Sequence, residues 1–204
     1  MNSDIANNKV YLQGIIDTEP ELNHRVKDEE FYGFTLRVPR LSGQNDYIPI
    51  IISRRLMVFY KIEKDRRLAL RGQFRSHNAI EGSKRRLILS VFAKEICEWD
   101  DTANPNVVEL DGYMCKPAIY RTTPFAREIC DVLLAVNRNY GKSDYIPCIA
   151  WGENAHTVSE LKESTHLRIV GRIQSREYNK RCEGIEVPIT KVAYEVSISK
   201  LIDD

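Results

Sequence analysis

Asp46-Tyr47-Ile48-Pro49-Ile50 recurs 98 residues later as Asp144-Tyr145-Ile146-Pro147-Cys148. The same offset, without gaps, pairs Val10 with Val108, Leu12 with Leu110 and Gly14 with Gly112. It also pairs Leu36, Val38 and Arg40 with Leu134, Val136 and Arg138, and Gly43 with Gly141. Gly72 meets Gly171 at an offset of 99, so one residue was added between. A single Val-x-Leu-x-Gly match would carry little weight, but this many in one register identify an internal duplication. The halves run over 1–100 and 105–204, each near the size of a small domain of about 100 residues. The joint, Trp99-Asp100-Asp101-Thr102-Ala103-Asn104-Pro105-Asn106, is polar and closes on Asn-Pro, a loop signature. It is too short for a long tether, so the halves are expected to pack together.

Each half reads as strand, strand, strand, helix, strand, strand. In the second half Val108, Leu110, Gly112 and Met114 alternate with polar neighbours, as do Val132, Leu134 and Val136, and then Ile146, Cys148 and Ala150. Such period-two patterns mark half-buried strands. Gly152 to Glu163 carries Val158 and Leu161 at helical spacing; Leu167, Ile169 and Ile173, then Val196 and Ile198, mark two further strands. In the first half the strands are Val10–Ile16, Phe31–Val38, Tyr47–Ile52, Leu68–Phe74 and Leu87–Ile96, with a helix over Arg54–Glu63. Glycines inside strands, at Gly14, Gly72, Gly112 and Gly171, suit the coiling and bulges of a small barrel. The expected fold is all-β with one short helix per repeat: two tandem five-stranded OB-fold barrels. An immunoglobulin-like sandwich would need about seven strands and no helix.

Composition narrows the function classes. Hydrophobic residues make up 43% and charged residues 29% of 204, an ordinary globular balance. With a net charge of +1, nucleic-acid binding would require charge arranged on one surface. The five cysteines (97, 115, 130, 148 and 182) include no C-x-x-C pair, so neither a zinc knuckle nor a disulfide framework is indicated. His24, His77, His156 and His166 show no metal-ligand spacing and no paired nucleophile. No enzyme activity, metal or cofactor is expected. The start, Met1-Asn2-Ser3-Asp4, lacks the basic and apolar blocks of a secretion signal, and no apolar run approaches the roughly 18 residues of a membrane span. A cytoplasmic protein is expected.

Side chains along a strand alternate between faces. With even-numbered residues of the third strand in the core, Tyr145, Ile149 and Trp151 point outward. The fourth strand has odd core parity, leaving Arg168, Val170, Arg172, Gln174, Arg176 and Tyr178 outward. Aromatic platforms beside a basic track suit sequence-tolerant binding of single strands, at roughly 1–3 kcal/mol per stacked base. A tryptophan in a small domain is more often a core residue, but Trp151 lies opposite Ile146, Cys148 and Ala150. Tyrosines can equally lie across a rim or a subunit contact, and single arginines on strands are usually just solvated. In the first half Tyr47 persists and Arg71 and Arg75 supply outward charge, but Ser53 stands for Trp151 and Ala79 for Tyr178. The first barrel is expected to bind nucleic acid weakly or to serve in assembly. Basic residues at Arg54-Arg55 and Lys64–Arg67, and at the hairpin positions Lys84-Arg85-Arg86 and Lys180-Arg181, are read first as solubility chemistry.

Leu134-Ala-Val-Asn-Arg138, Tyr145-Ile-Pro-Cys-Ile-Ala-Trp-Gly-Glu-Asn-Ala155 and Val170-Gly-Arg-Ile-Gln-Ser-Arg-Glu-Tyr178 make the second half similar to the bacterial single-stranded DNA-binding proteins. The resemblance implies an OB barrel that assembles in fours to wrap single-stranded DNA without sequence preference. By motif position it puts the stacking aromatics at Tyr145, Trp151 and Tyr178. With two barrels per chain, a homodimer would supply four. Members of that family usually carry a flexible tail with an acidic, apolar tip; here Lys200-Leu-Ile-Asp-Asp204 follows strand five directly, and recruitment of partners through such a tail is not expected. Two other readings stand: an assembly or adaptor protein akin to primosomal relatives, and RNA in place of DNA, since OB folds accept either.

Overall fold

The computed structural model describes residues 7–81, 84–180 and 189–202. Met1 to Asp4, Arg181, Cys182, Asp203 and Asp204 lie outside the described residues, as do the side chains of Lys84, Arg85 and Lys180. The first half contains β1 (Asn8–Ile16), β2 (Glu21–Val26), β3 (Glu29–Pro39), β4 (Asn45–Ser53), α1 (Arg54–Tyr60), β5 (Arg67–Glu81) and β6 (Lys84–Cys97). The second repeats the order with β7 (Asn106–Met114), β8 (Ile119–Thr122), β9 (Glu128–Asn137), β10 (Ser143–Trp151), α2 (Glu153–Ser159), β11 (His166–Lys180) and β12 (Ile189–Ile202).

The backbone pairings close each half into a barrel. In the first, β1 pairs with β3 and β5, β3 with β4, and β5 with β6, all antiparallel, while β4 and β6 meet in parallel. The second uses β7, β9, β10, β12 and β11 in the same circuit, with β10 parallel to β12. These are two five-stranded OB barrels in tandem. The core of each holds the residues that the alternation predicts, among them Ile48, Ile50, Ile52 and Phe74 in one and Ile146, Cys148, Ala150 and Ile173 in the other. Each fully buried aliphatic or aromatic side chain contributes about 1.5–3 kcal/mol. Burial in this core pushes the Cys148 thiol far above its ordinary pKa, so it is an inert filler there.

Two features depart from the expectation. Each half has a sixth, short strand, β2 and β8, whose residues are all exposed. A strand with neither face buried has no alternation to read. Both helices are also shorter than the sequence suggests, and α1 ends where Lys61 adopts a left-handed conformation (φ 51°).

The barrels join edge to edge. β1 and β7 run antiparallel with Val10 opposite Val108, so equivalent residues face each other across a pseudo-twofold axis. The twelve strands thereby form one continuous sheet. Gln13 ties the joint down: its side-chain amide donates to the Asp100 carbonyl (2.7 Å) and its backbone N–H to that of Pro105 (2.9 Å).

Candidate nucleic-acid interface

Strand order decides which outward residues are neighbours. β10 and β11 are not paired; β12 lies between them, because the parallel β10–β12 pairing is what closes the barrel. The single patch of Tyr145, Trp151 and three arginines expected on adjacent strands is therefore corrected. Trp151 and Arg172 instead flank Ser197 of β12: the indole N–H donates to Ser197 Oγ at 3.1 Å, and Arg172 is the cross-strand partner of Ser197.

The far ends of β5 and β11 cross onto the opposite barrel. There the Tyr145 N–H donates to Ser76 Oγ at 2.8 Å and the Tyr47 N–H to Ser175 Oγ at 3.0 Å. Each exposed tyrosine (Tyr145 44%, Tyr47 43%) thus stands beside the other barrel's fourth strand. Tyr145 neighbours the strand of Arg71 and Arg75, and Tyr47 that of Arg172, Arg176 and Tyr178.

The same crossings hold the barrels together. Asp46 is fully buried and accepts from Arg40 Nε (2.7 Å) and Nη2 (2.5 Å), and from the Ser175 N–H (2.7 Å). Arg40 completes the loop by donating to the Ser175 carbonyl at 3.1 Å. Across the pseudo-axis Asp144 accepts from Arg138 and from the Ser76 N–H, and Arg138 donates to the Ser76 carbonyl at 2.7 Å. Asn8 spans Phe74 with a two-way backbone clasp (2.7 and 2.8 Å), and Asn106 does the same to Ile173 (2.7 and 2.9 Å). A buried carboxylate is tolerable only when paired and fully hydrogen-bonded; these two are. The signal for them was in the sequence, since the repeated pentapeptide begins on Asp46 and Asp144, but it served only to align the halves.

Several predicted site residues take other roles. Ile149 points away from the central cluster but is only 5% exposed, lying opposite Ser197 in the parallel pairing; it offers little surface to a ligand. Arg172 is committed to Asp46 Oδ2 (3.3 Å) and Gln174 Oε1 (2.9 Å). Burial and the charge of Arg40 lower its pKa from the ordinary arginine value, against the pull of Asp46. Arg168 sits two turns of the pleat and more from the crossing and pairs with Asp111 at 3.7 Å. Arg71 pairs with Glu95 at 3.5 Å and lies over the Tyr11 ring. Arg176 is largely exposed, 3.9 Å from Glu195, and Tyr178 is 39% exposed.

The first barrel is not short of aromatics. Phe31 and Phe92 flank Ser53, the counterpart of Trp151: Phe31 is the cross-strand partner of Ser53, and Phe92 that of Ile51. Their rings meet at 5.7 Å, His24 stacks on Phe31 at 4.9 Å and 9°, and the Arg75 guanidinium lies 5.4 Å from the Phe92 centroid. Phe31 is buried (9% exposed) and Phe92 half-buried, but neither belongs to the central cluster that fills the barrel. In the second barrel the equivalent three places hold Ile129, Trp151 and Ser197. The neighbouring pair is exchanged as well: Gln73 and Arg75 in the first barrel stand where Arg172 and Gln174 stand in the second. Comparing only Ser53 with Trp151 misses this; the outward parity of Phe92, between buried Val91 and Ala93, would have found it.

Among the described residues no group of three or more His, Cys, Asp or Glu could hold a metal ion, and no helix is long and apolar enough to cross a membrane. Fold and surface together define a duplicated OB-fold protein with aromatic and basic outer strands. The single-strand binding protein family matches residues 105–201, and the chain belongs to that family. It is 33% identical over 97 residues to single-stranded DNA-binding protein 3 of Streptococcus agalactiae, spanning 44% of this chain and 70% of that one. To the single-stranded DNA-binding protein of Enterococcus faecalis it is 34% identical over 97 residues, spanning 44% of this chain and about half, 51%, of that one. The wild-type single-stranded DNA binding protein of Thermus aquaticus shares the tandem fold, with a TM-score of 0.74 at 19% identity over 97% of this chain and 92% of that one.

Proposed function

We propose that this chain binds single-stranded DNA without regard to sequence, stacking bases on outer-face aromatics and holding phosphates with arginines, in replication, recombination or repair in the cytoplasm. The observation that carries the reading is Tyr145 and Trp151 on the outer side of β10, opposite a filled core, in a chain of this family. An OB barrel has no need of aromatics there for its own packing, whereas bases stack on such rings regardless of sequence. Arg176, exposed on the strand beside Tyr47, supplies charge for the backbone. Two chains would bring four barrels together, and a homodimer is the assembly proposed.

A second reading, a scaffold that holds protein partners, draws on α1, where Val58 and Phe59 are 62% and 76% exposed. One comparison separates the two. Labelled oligo-dT, oligo-U and a duplex of equal length are titrated at several salt concentrations and followed by anisotropy. DNA binding predicts preference for oligo-dT over duplex, with affinity falling as salt rises. Equal or tighter binding of oligo-U moves the substrate to RNA. No binding of any strand at low salt leaves the scaffold reading.

A further inference from the structure

We infer that the first barrel carries its own base-stacking surface, centred on Phe92 and reached along β4 from Tyr47. The inference rests on the single-strand reading above and assigns to the first barrel a ligand site that its sequence, with Ser53 in place of tryptophan, does not announce. The outward row of β4 runs Tyr47, Pro49, Ile51, and Ile51 is the cross-strand partner of Phe92. Phe92 is half-buried, backed by Phe31 and by the exposed His24 stacked upon it. The arginine that would meet a phosphate beside a stacked base is present too: the Arg75 guanidinium lies against the same ring.

The geometry points to relocation. In the second barrel one large ring, Trp151, stands on the central strand between small or aliphatic neighbours, Ser197 and Ile129. In the first, a small residue, Ser53, stands on the central strand and the large rings come from both sides. The arginine moves with the ring. In the second barrel it is Arg172, two positions nearer the bulge than Gln174; in the first it is Arg75, two positions beyond Gln73, and in each case it donates to that glutamine. A barrel that had merely lost its surface would be expected to lose these partners independently. Here the aromatic volume and the adjacent cation are both retained on the outer side of the sheet. That side is continuous with Tyr47, which borders the second barrel's β11, so one strand of DNA could run from one barrel to the other.

The test uses the full chain and fluorescently labelled oligo-dT long enough to span both barrels, followed by anisotropy at low salt. Phe92→Leu keeps an apolar side chain but removes the ring face, and it should weaken binding roughly tenfold. Phe92→Trp should retain affinity. When Phe92→Trp is combined with Trp99→Phe and Trp151→Phe, DNA should quench the remaining emission. The inference is overturned if Phe92→Leu binds like the parent, or if emission from the triple variant ignores saturating DNA. It is also overturned if Phe92→Leu alters the oligomeric state while leaving affinity intact, for the ring would then be a contact between copies. Failure of the parent chain to bind oligo-dT would instead defeat the single-strand reading itself. Weakening by Trp151→Ala without weakening by Phe92→Leu defeats only this inference.

Discussion

The two barrels are alike where they hold each other and unlike where they face outward. Arg40, Asp46 and Ser175 are matched residue for residue by Arg138, Asp144 and Ser76. Phe31, Ser53 and Phe92 are answered by Ile129, Trp151 and Ser197. The clasp involves buried charge, with both oxygens of each carboxylate hydrogen-bonded to an arginine and one of them also to a serine N–H of the other barrel. A change on one side strands a charge on the other, so the geometry admits few solutions. The outer surface is bounded by solvent on one side. Ring volume can move to a neighbouring strand there provided that the neighbour gives way. Duplication therefore produced a chain whose junction is symmetric and whose outer faces are distributed differently.

The largest expected effect comes from breaking the symmetric part. Asp144→Ala leaves Arg138 without its buried partner and should cost about 3–5 kcal/mol in urea unfolding. Asp46→Ala should cost more, since Arg172 also leans on Asp46; equal losses would show that this extra contact contributes nothing. Next come the unlike faces. Trp151→Ala should weaken oligo-dT binding by a factor of roughly five to 150, the range expected for one stacked base, with the urea midpoint little changed. Ser53→Trp, which gives the first barrel the second barrel's residue, should not improve binding. The space above Ser53 is already occupied by Phe31 and Phe92, and overfilling should destabilise by about 1–3 kcal/mol. A Ser53→Trp protein as stable as the parent would contradict the relocation of the rings.

The smallest effects separate two arginines that look equivalent in sequence. Arg176→Ala should lower the slope of log affinity against log salt by about one, as loss of a phosphate contact does. Arg172→Ala should change that slope less, because its guanidinium is engaged with Asp46 and Gln174, and should register as a lowered melting temperature instead. The reverse ranking would reassign both residues.

How far the sequence could be read follows from the same division. The duplication, the barrels and the core were legible, because burying one face of each strand imposes a period of two. Val132–Leu134–Val136 and Ile146–Cys148–Ala150 are clear instances. β2 and β8 were not legible, being exposed on both faces. Nor were the partners of the outer residues. Parity tells which way Arg172 or Ile149 points but not what lies there, and the answer depended on β12 coming between β10 and β11. Likewise, the aspartates that head the repeated pentapeptide could be aligned from sequence, but their burial against serines of the other barrel, Asp46 with Ser175 and Asp144 with Ser76, belongs to tertiary structure alone. The Phe92 surface stayed hidden for a related reason: the two halves were compared position by position, whereas the rings had changed strands.

The most direct test of base stacking on the outer face uses the two tryptophans. Trp99 lies at the joint under Arg67, with its indole N–H on Asp101, and Trp99→Phe leaves Trp151 as the only indole. Adding oligo-dT to that variant at low salt should quench its emission in step with binding, and adding salt should restore it. Binding that saturates while the emission of Trp151 stays unchanged would contradict the account.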